Sequence, residues 1–287
     1  ALTAPGRIIM LRTLLLAGLV ALAACSPPDD TTPTTSTTVA EPAVLAAGPA
    51  PGQRRVVTLA ADPWCPHNCD ANSDRQGYMV EIAREAFALA QLEVEYTNMS
   101  WARALQQADA GQIDAVVGAF TGDAPDFVFP DEAIGYARIG LFSHADSDWR
   151  YRGIASLDEH KLVAINGYSY SPELDAYIDD HQDDPGRVWI LSGPSPLDRA
   201  IELLEQRRSD VLAEDLEVMR WTLDQLDKQE ALRQVGQLER LPVYVAFSPA
   251  NPHSDDLAAL LSEGIRKLRR SGRLAAILDR YGMSWSD

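Results

Sequence analysis

The stretch Arg55-Val-Val-Thr-Leu-Ala60 opens the folded part of this sequence and decides its class. Its apolar residues are crowded together, as is typical of a strand buried on both faces of a sheet. Residues 77–92 then place apolar side chains at helical spacing, and Leu92-Glu-Val-Glu-Tyr96 alternates as a second strand. A strand, a helix and a strand in this order predict a βαβ unit.

The same alternation continues along the rest of the chain. Further strands are predicted at 113–120, 162–166, 187–191, 210–213 and 243–247. Helices are predicted at 101–110, 172–180, 196–207, 214–226 and 254–270, with a last helix that ends near Tyr281. We therefore expect an α/β fold built around parallel sheets, and the length of the chain favours two lobes over one core.

Residues 1–24 are predicted to be a signal peptide. Arg7 and Arg12 supply its positive charge, and the apolar run at 14–24 is too short to span a bilayer as a helix. Leu22-Ala-Ala-Cys25 resembles the lipobox of bacterial lipoproteins, which implies an acylated Cys25 as the mature N-terminus. An ordinary secretory signal that happens to end in a cysteine stays open as the alternative.

Residues 25–53 are rich in Thr and Pro and can bury almost nothing apolar, so they are expected to be a disordered tether behind the lipid anchor. The expected location is the cell envelope, facing the periplasm or the cell exterior. A formal net charge of −17 disfavours nucleic acid and anionic lipid surfaces as partners, because Lys and Arg provide the affinity for both.

Two further cysteines, Cys65 and Cys69, have two interpretations. A disulfide is favoured, because the predicted compartment is oxidising. The alternative is a metal site with His67 and Asp70, although zinc motifs usually supply a second ligand pair and none is visible. No phosphate-binding loop, serine nucleophile elbow or metal-ligand cluster supports another enzyme class, and we expect neither a metal nor a cofactor.

Several segments together resemble the bacterial extracellular solute-binding proteins of the amino-acid-binding type (family 3), the receptors of ABC importers. These segments are 77–83, Trp101 with 110–115, 127–130, 166–170, 208–215 and 270–282. The resemblance implies the type II periplasmic-binding-protein fold, with two α/β lobes joined by two crossing hinge strands. The lobes would be 54–141 with 246–287, and 142–245, with crossings near 139–143 and 242–247. It also implies an ABC permease as partner and a monomer.

The resemblance also implies which first-lobe residues face the ligand. Ligands bind outside the carboxyl ends of parallel strands, so the loops after strands are the candidates. Trp64 and Trp101 would be opposite aromatic walls, with ordinary core packing as the alternative for both. Asp62, Phe120 and Thr121 complete this side of the predicted cleft.

In the second lobe, the segment Gly167-Tyr168-Ser169-Tyr170 would meet the ligand at the start of a helix. Glu214 and Asp215 match the position whose carboxylate binds the ligand's amine in the family. The alternative is an acid pair in a first helical turn, which suits the helix dipole.

The sequence departs from the family after Thr121. The stretch Thr121-Gly-Asp-Ala-Pro-Asp126 lacks the arginine that usually clamps the carboxylate of an amino acid, and Arg103 is the nearest basic substitute. An acidic, aromatic cleft favours a cation. We therefore expect a non-enzymatic receptor for a small amino-acid-like ligand or amine. The alternatives are a dehydratase that uses Glu214 as its acid and a sensory lipoprotein that partners a membrane receptor.

Overall fold

The structure is a computed structural model that describes residues 55–285, so the predicted signal peptide, Cys25 and the whole of the predicted tether lie outside the described residues. The strands are β1 (Arg55–Ala61), β2 (Leu92–Asn98), β3 (Ala115–Ala119), β4 (Gly135–His144), β5 (Leu162–Ile165), β6 (Val188–Leu191), β7 (Val211–Asp215) and β8 (Leu232–Phe247). The helices are α1 (Tyr78–Ala88), α2 (Trp101–Asp109), α3 (Pro172–His181), α4 (Pro196–Glu205), α5 (Leu216–Gln225), α6 (Ser254–Arg270) and α7 (Arg273–Asp279). A short 3-10 helix (Ile154–Leu157) precedes β5.

The strands pair in the order β2-β1-β3-β8-β4-β7-β5-β6. β1 is parallel to β2 and β3, and β5 is parallel to β6 and β7. We call these triplets the first strand group (β1, β2, β3) and the second strand group (β5, β6, β7). Within each group the parallel pairing expected from the sequence is confirmed.

Between the two groups the sheet is antiparallel, which the strand and helix pattern did not predict. β4 pairs with β7 and β8, and β8 pairs with β3, in antiparallel register in each case. β4 and β8 contain the two crossings that the family resemblance implies. The mixed α/β type II periplasmic-binding-protein fold is thus confirmed, while the lobe boundaries stay a prediction.

Two predicted boundaries are wrong, because sheet pairing continues beyond the apolar residues. The predicted strand at 243–247 is the last part of the longer β8, whose first part alternates buried and exposed residues. The predicted helix at 214–226 begins only at Leu216. Glu214 and Asp215 instead lie at the end of β7, opposite Gly140 and Ile139 of β4.

The buried core follows the strand groups. All five residues of β7 are buried, as expected for a strand in the middle of a sheet with helices on its faces. A smaller apolar cluster packs α4 and α5 against the second group, with Leu204, Leu212 and Met219 among its members. Within residues 55–285, no helix combines the length and the apolar character needed to cross a bilayer.

Candidate functional site

The candidate site lies where strands of both groups end. Asp62 and Trp64 follow β1, Phe120 follows β3, Tyr168 follows β5, and Glu214 stands near the end of β7. The carboxyl ends of parallel strands meet at one edge of a sheet, so these side chains converge. The order of strands in the sheet thus gathers residues that are far apart in the sequence.

A small central cavity lies among these side chains and leaves about 20 Å³ for the centre of a water-sized group. The described residues of its lining are acidic and aromatic, with no Lys, Arg or His among them. The lining residues are Asp62, Trp64, Asn68, Trp101, Val117, Gly118, Phe120, Asp123, Ile139, Tyr168, Ser169 and Glu214. A space of this size accommodates roughly one water molecule or one ammonium group.

Glu214 is the most deeply buried acid of the cavity, with 1% of its surface exposed. The indole N–H of Trp64 donates to its Oε1 at 2.8 Å, and the backbone N–H of Asp215 donates to the same oxygen at 2.7 Å. Its Oε2 is buried, and none of residues 55–285 gives it a hydrogen bond. Burial raises the pKa of Glu214 to about 8, against the lowering effect of these two donors.

Asp62 joins the two strand groups through the hydroxyl of Tyr168, which donates to its Oδ2 at 2.7 Å. The amide of Asn68 donates to the backbone carbonyl of Asp62 at 2.8 Å and thereby fixes the loop after β1. Burial raises the pKa of Asp62 to about 6, although the bond from Tyr168 opposes this rise.

Asp123 makes a second connection of this kind. It accepts the backbone N–H of Phe120 at 2.7 Å and that of Ser169 at 3.1 Å, so it ties the loop after β3 to the loop after β5. Burial raises the pKa of Asp123 to about 7. The sequence alone does not identify Asp123 as a site residue, although it lies in the stretch that lacks the family's arginine.

Asp215 does not line the cavity, in contrast to the expectation that it faces the ligand. Successive residues of a strand point to opposite faces, so Glu214 and Asp215 cannot both reach the same space. Asp215 caps α5 by accepting the backbone N–H groups of Glu217 and Val218 at 2.9 and 3.0 Å. It also accepts the backbone N–H of Arg138 at 2.8 Å.

His67 is the side chain that holds Asp215, and sequence reasoning treated it only as a possible metal ligand. Its Nε2 lies 2.9 Å from Oδ1 of Asp215, and its Nδ1 lies 2.8 Å from the hydroxyl of Tyr78. Burial alone would raise the pKa of Asp215, but His67 and the backbone donors lower it below its ordinary value. This buried chain is a second link between the loop after β1 and β7, beside the hydrogen bond from Trp64 to Glu214.

The predicted disulfide between Cys65 and Cys69 is present. The loop that it closes also has a pair of backbone hydrogen bonds between Trp64 and Asn68. The metal alternative is not supported, because the cysteines are joined to each other and both ring nitrogens of His67 have protein partners. Among residues 55–285, no group of three or more His, Cys, Asp and Glu side chains is arranged to hold a metal ion.

The remaining predicted residues divide into three sets. Trp101 and Phe120 line the cavity, as do Tyr168 and Ser169. Thr121 and Gly167 are exposed and lie beside the cavity rather than in it, and Arg103 is also exposed. Tyr170 is a core residue, with 1% of its surface exposed and its hydroxyl accepting the backbone N–H of Ile165 at 2.8 Å.

Asn68 and Gly118 form part of the cavity wall and were not identified from the sequence. Gly118 has φ +99°, and a Cβ at this position would lie 2.8 Å from Oδ1 of Asn68. That oxygen is buried and accepts no hydrogen bond from the described part of the chain. A glycine is needed here because of both its backbone conformation and its close contact.

Comparisons with solved structures place the fold among periplasmic binding proteins. An ancestral arginine-binding protein bound to arginine shares 15% identity, covering 79% of this chain and 98% of its own, at a TM-score of 0.65. A structure from work on glutathione import via GshT and the cystine ABC importer TcyBC of Streptococcus mutans shares 17% identity, covering 82% and 98%, at 0.66. A histidine kinase sensor domain similar to periplasmic binding proteins shares 19%, covering 79% and 96%, at 0.63.

A search of the curated proteins finds no significant match. The family model described as bacterial extracellular solute-binding proteins, family 3, matches residues 56–284 and so covers nearly all of the described chain. The match includes both strand groups and every residue that lines the central cavity. The chain therefore belongs to the bacterial extracellular solute-binding proteins of family 3.

Proposed function

We propose that this protein is an extracytoplasmic receptor that captures a small ligand through a protonated amine and delivers it to an ABC importer. The observation that carries the proposal is the buried Oε2 of Glu214, which lacks a partner in a cavity lined by acids and aromatic rings. An ammonium group would give this oxygen its missing donor. The arginine-bound neighbour, whose ligand is cationic, is consistent with this chemistry.

The free energy of such pairing is sufficient for a receptor. A hydrogen bond to a charged group contributes about 1.5–3 kcal/mol, and a cation over the Trp64 or Trp101 ring contributes roughly 0.5–2 kcal/mol. Because burial keeps Glu214 largely protonated at neutral pH, its carboxyl must lose a proton when the ammonium binds. Binding is therefore coupled to proton release.

The test is a titration of the purified protein with amines, amino acids and carboxylates, preceded by native mass spectrometry to detect any ligand that co-purifies. Glu214→Gln should weaken amine binding tenfold or more, since each 1.4 kcal/mol is a factor of ten. Glu217→Gln is the matched control, because it removes a carboxylate that is on α5, partly exposed and outside the cavity. Tight binding of an anion without an amine, unaffected by Glu214→Gln, would overturn the proposal.

Delivery to a permease rests on the family and on the structural neighbour from work on an ABC importer. A sensory role is the second candidate, favoured by the sensor-domain neighbour. Crosslinking in intact cells separates the two roles, because an importer partner is a permease and a sensory partner is a signalling receptor. We expect no turnover of ligand, since the family consists of binding proteins.

The lipid anchor is part of this proposal and rests on the sequence around Cys25. The wild-type protein should remain with the membrane fraction in detergent-free extracts. A Cys25→Ser variant should be released into the soluble fraction, because the thiol that accepts the lipid is gone. Equal solubility of the two forms would contradict the anchor and favour an ordinary secretory signal.

A further inference from the structure

A second, larger hollow opens from the central cavity. It has a volume of about 770 Å³ and shares Asp62, Trp64, Trp101 and Tyr168 with the central cavity. We call it the tryptophan groove, because Trp64, Trp101 and Trp221 line it. The loop between β6 and α4, residues 192–195, forms its opposite side together with α5.

The charged side chains that line the groove are acidic, and two arginines border it. Arg199 donates to the backbone carbonyl of Ser192 at 2.8 Å, and the guanidinium of Arg75 lies 5.7 Å from the centroid of the Trp221 ring. Asp62 and Asp198 are its only charged lining residues, and Lys and Arg are absent from the described lining. Apolar side chains dominate the part that lies away from the cavity, where Leu226 keeps 36% of its surface exposed. Such a surface suits an apolar or aromatic group and disfavours a carboxylate.

The central cavity and the tryptophan groove differ in size, and this difference decides which part of a ligand each can hold. The central cavity has room for about one water-sized group, so an ammonium fits while the carbon body attached to it does not. The body must leave the cavity, and the tryptophan groove is contiguous with it. An opposite groove of about 660 Å³ also touches the cavity, but Asp123, Asp175 and Asp179 line it, which makes it the poorer place for an apolar body.

We infer that the ligand is an elongated amine without a carboxylate, whose ammonium pairs with Glu214 and whose apolar or aromatic body lies in the tryptophan groove. The inference rests on the proposed function and adds the ligand class to it. It predicts two contributions that can be measured separately, one from the ammonium and one from the body. Because the lining residues of the cavity and the groove are acidic, a carboxylate on the ligand should weaken binding, and we expect zwitterions to bind less tightly than amines.

Isothermal titration with tryptamine, ethylamine and tryptophan tests the inference. Tryptamine should bind at least tenfold more tightly than ethylamine, which has the ammonium but no body for the groove. It should also bind at least tenfold more tightly than tryptophan, which adds a carboxylate. Equal affinities for tryptamine and ethylamine would overturn the assignment of the ligand's body to the groove, while the proposed amine site at Glu214 would remain supported. Binding of neither amine would count against the proposed function itself.

Variants locate the body of the ligand. Trp221→Ala should weaken tryptamine binding about tenfold and ethylamine binding less than twofold, whereas Glu214→Gln should weaken both. Leu226→Ser, at a partly exposed position, is the second groove variant and should act in the same direction without a loss of folding. Leu241→Ala, in the opposite groove, is the matched control. An effect on tryptamine from Leu241→Ala and none from the two groove variants would overturn the assignment.

Discussion

Two adjacent carboxylates show how strongly position along a strand decides chemistry. Glu214 faces the cavity with an unpartnered oxygen, while Asp215 is fully engaged by His67, the start of α5 and the backbone of Arg138. The family position implied that Asp215 binds an amine. Its contacts instead make it a structural residue, and we assign the amine to Glu214.

Asp215→Ala should therefore lower stability rather than only affinity. The change removes a helix cap and leaves Nε2 of buried His67 without its carboxylate partner, at a cost of about 2 kcal/mol or more in the free energy of unfolding. For a domain of this size that corresponds to a fall in Tm of about 4–8 °C. Differential scanning calorimetry measures it.

Glu214→Gln is the contrast, because the amide keeps an acceptor for the indole of Trp64. Its Tm should lie within about 2 °C of wild type or above it, since the buried acid is replaced by a neutral group of equal shape.

An Asp215→Ala protein as stable as wild type would refute the structural role of Asp215. The sequence predicts a helix at residues 214–226, in which successive side chains do not point to opposite faces, so both acids are expected at one site. In the strand that actually forms, successive side chains alternate and the two acids are separated.

At the scale of elements, the loop after β1 carries more of the site than any other segment. Residues 62–68 supply Asp62, Trp64 and Asn68 to the cavity and His67 to Asp215. Gly77, with φ +99°, is the last residue before α1. A Cβ at this position would lie 2.4 Å from the carbonyl oxygen of His67, so the loop packs closely against the start of α1. The disulfide closes the middle of this loop.

The double variant Cys65→Ala/Cys69→Ala should lose about 2 kcal/mol of stability, the chain-entropy estimate for so short a closed loop. Amine affinity should fall as well, because Trp64 and His67 lose a restraint on their position. Thermal melting and titration with and without reductant measure both effects. The wild type should respond to reductant and the variant should not. Intact-mass spectra of unreduced wild-type protein that show free thiols would contradict the bond.

The elements differ in how well the sequence predicts them. β5 is predicted correctly because burial on both faces leaves an uninterrupted apolar run, and β1 because its apolar residues are crowded together around Thr58. β4 is predicted only in part, as one of the two crossings that the family resemblance implies. Much of β8 is not predicted, since its first part mixes exposed polar residues such as Gln234 and Gln237 with buried ones. The pairing of these two strands depends on contacts between distant segments, which local sequence patterns do not record.

At the scale of the whole molecule, carboxyl groups with raised pKa values connect the two strand groups. Asp62 binds Tyr168, Asp123 binds Ser169, and Glu214 binds Trp64. Their pKa values of about 6, 7 and 8 lie above the ordinary values of 3.8 for Asp and 4.5 for Glu. Each group thus binds its proton more tightly in the folded state than in the unfolded state. The sequence showed that the cleft is acidic, but the raised pKa values depend on burial that only the packed sheet creates.

Stability should therefore fall as the pH rises from 5 to 8.5. In this window the folded state holds more protons than the unfolded state, so deprotonation favours unfolding. Asp215 acts in the opposite direction, because its pKa is lower in the folded state than in the unfolded state. The stability that it adds is present at every pH above the pKa of the unfolded state and is lost only below about pH 4. We expect a loss of at least about 1 kcal/mol between pH 5.5 and 8.5, or about 2–4 °C in Tm.

The comparison of wild type with Glu214→Gln isolates the cavity from other titrating groups, because the amide cannot lose a proton. The variant's Tm should decline less between pH 5.5 and 8.5 than that of wild type, and the gap between the two should widen most near pH 8. Saturating tryptamine should narrow the gap by stabilising wild type at high pH, where Glu214 is ionised and ready to pair. Parallel curves for the two proteins would show that Glu214 titrates as an ordinary exposed acid, and the buried amine site would fail with it.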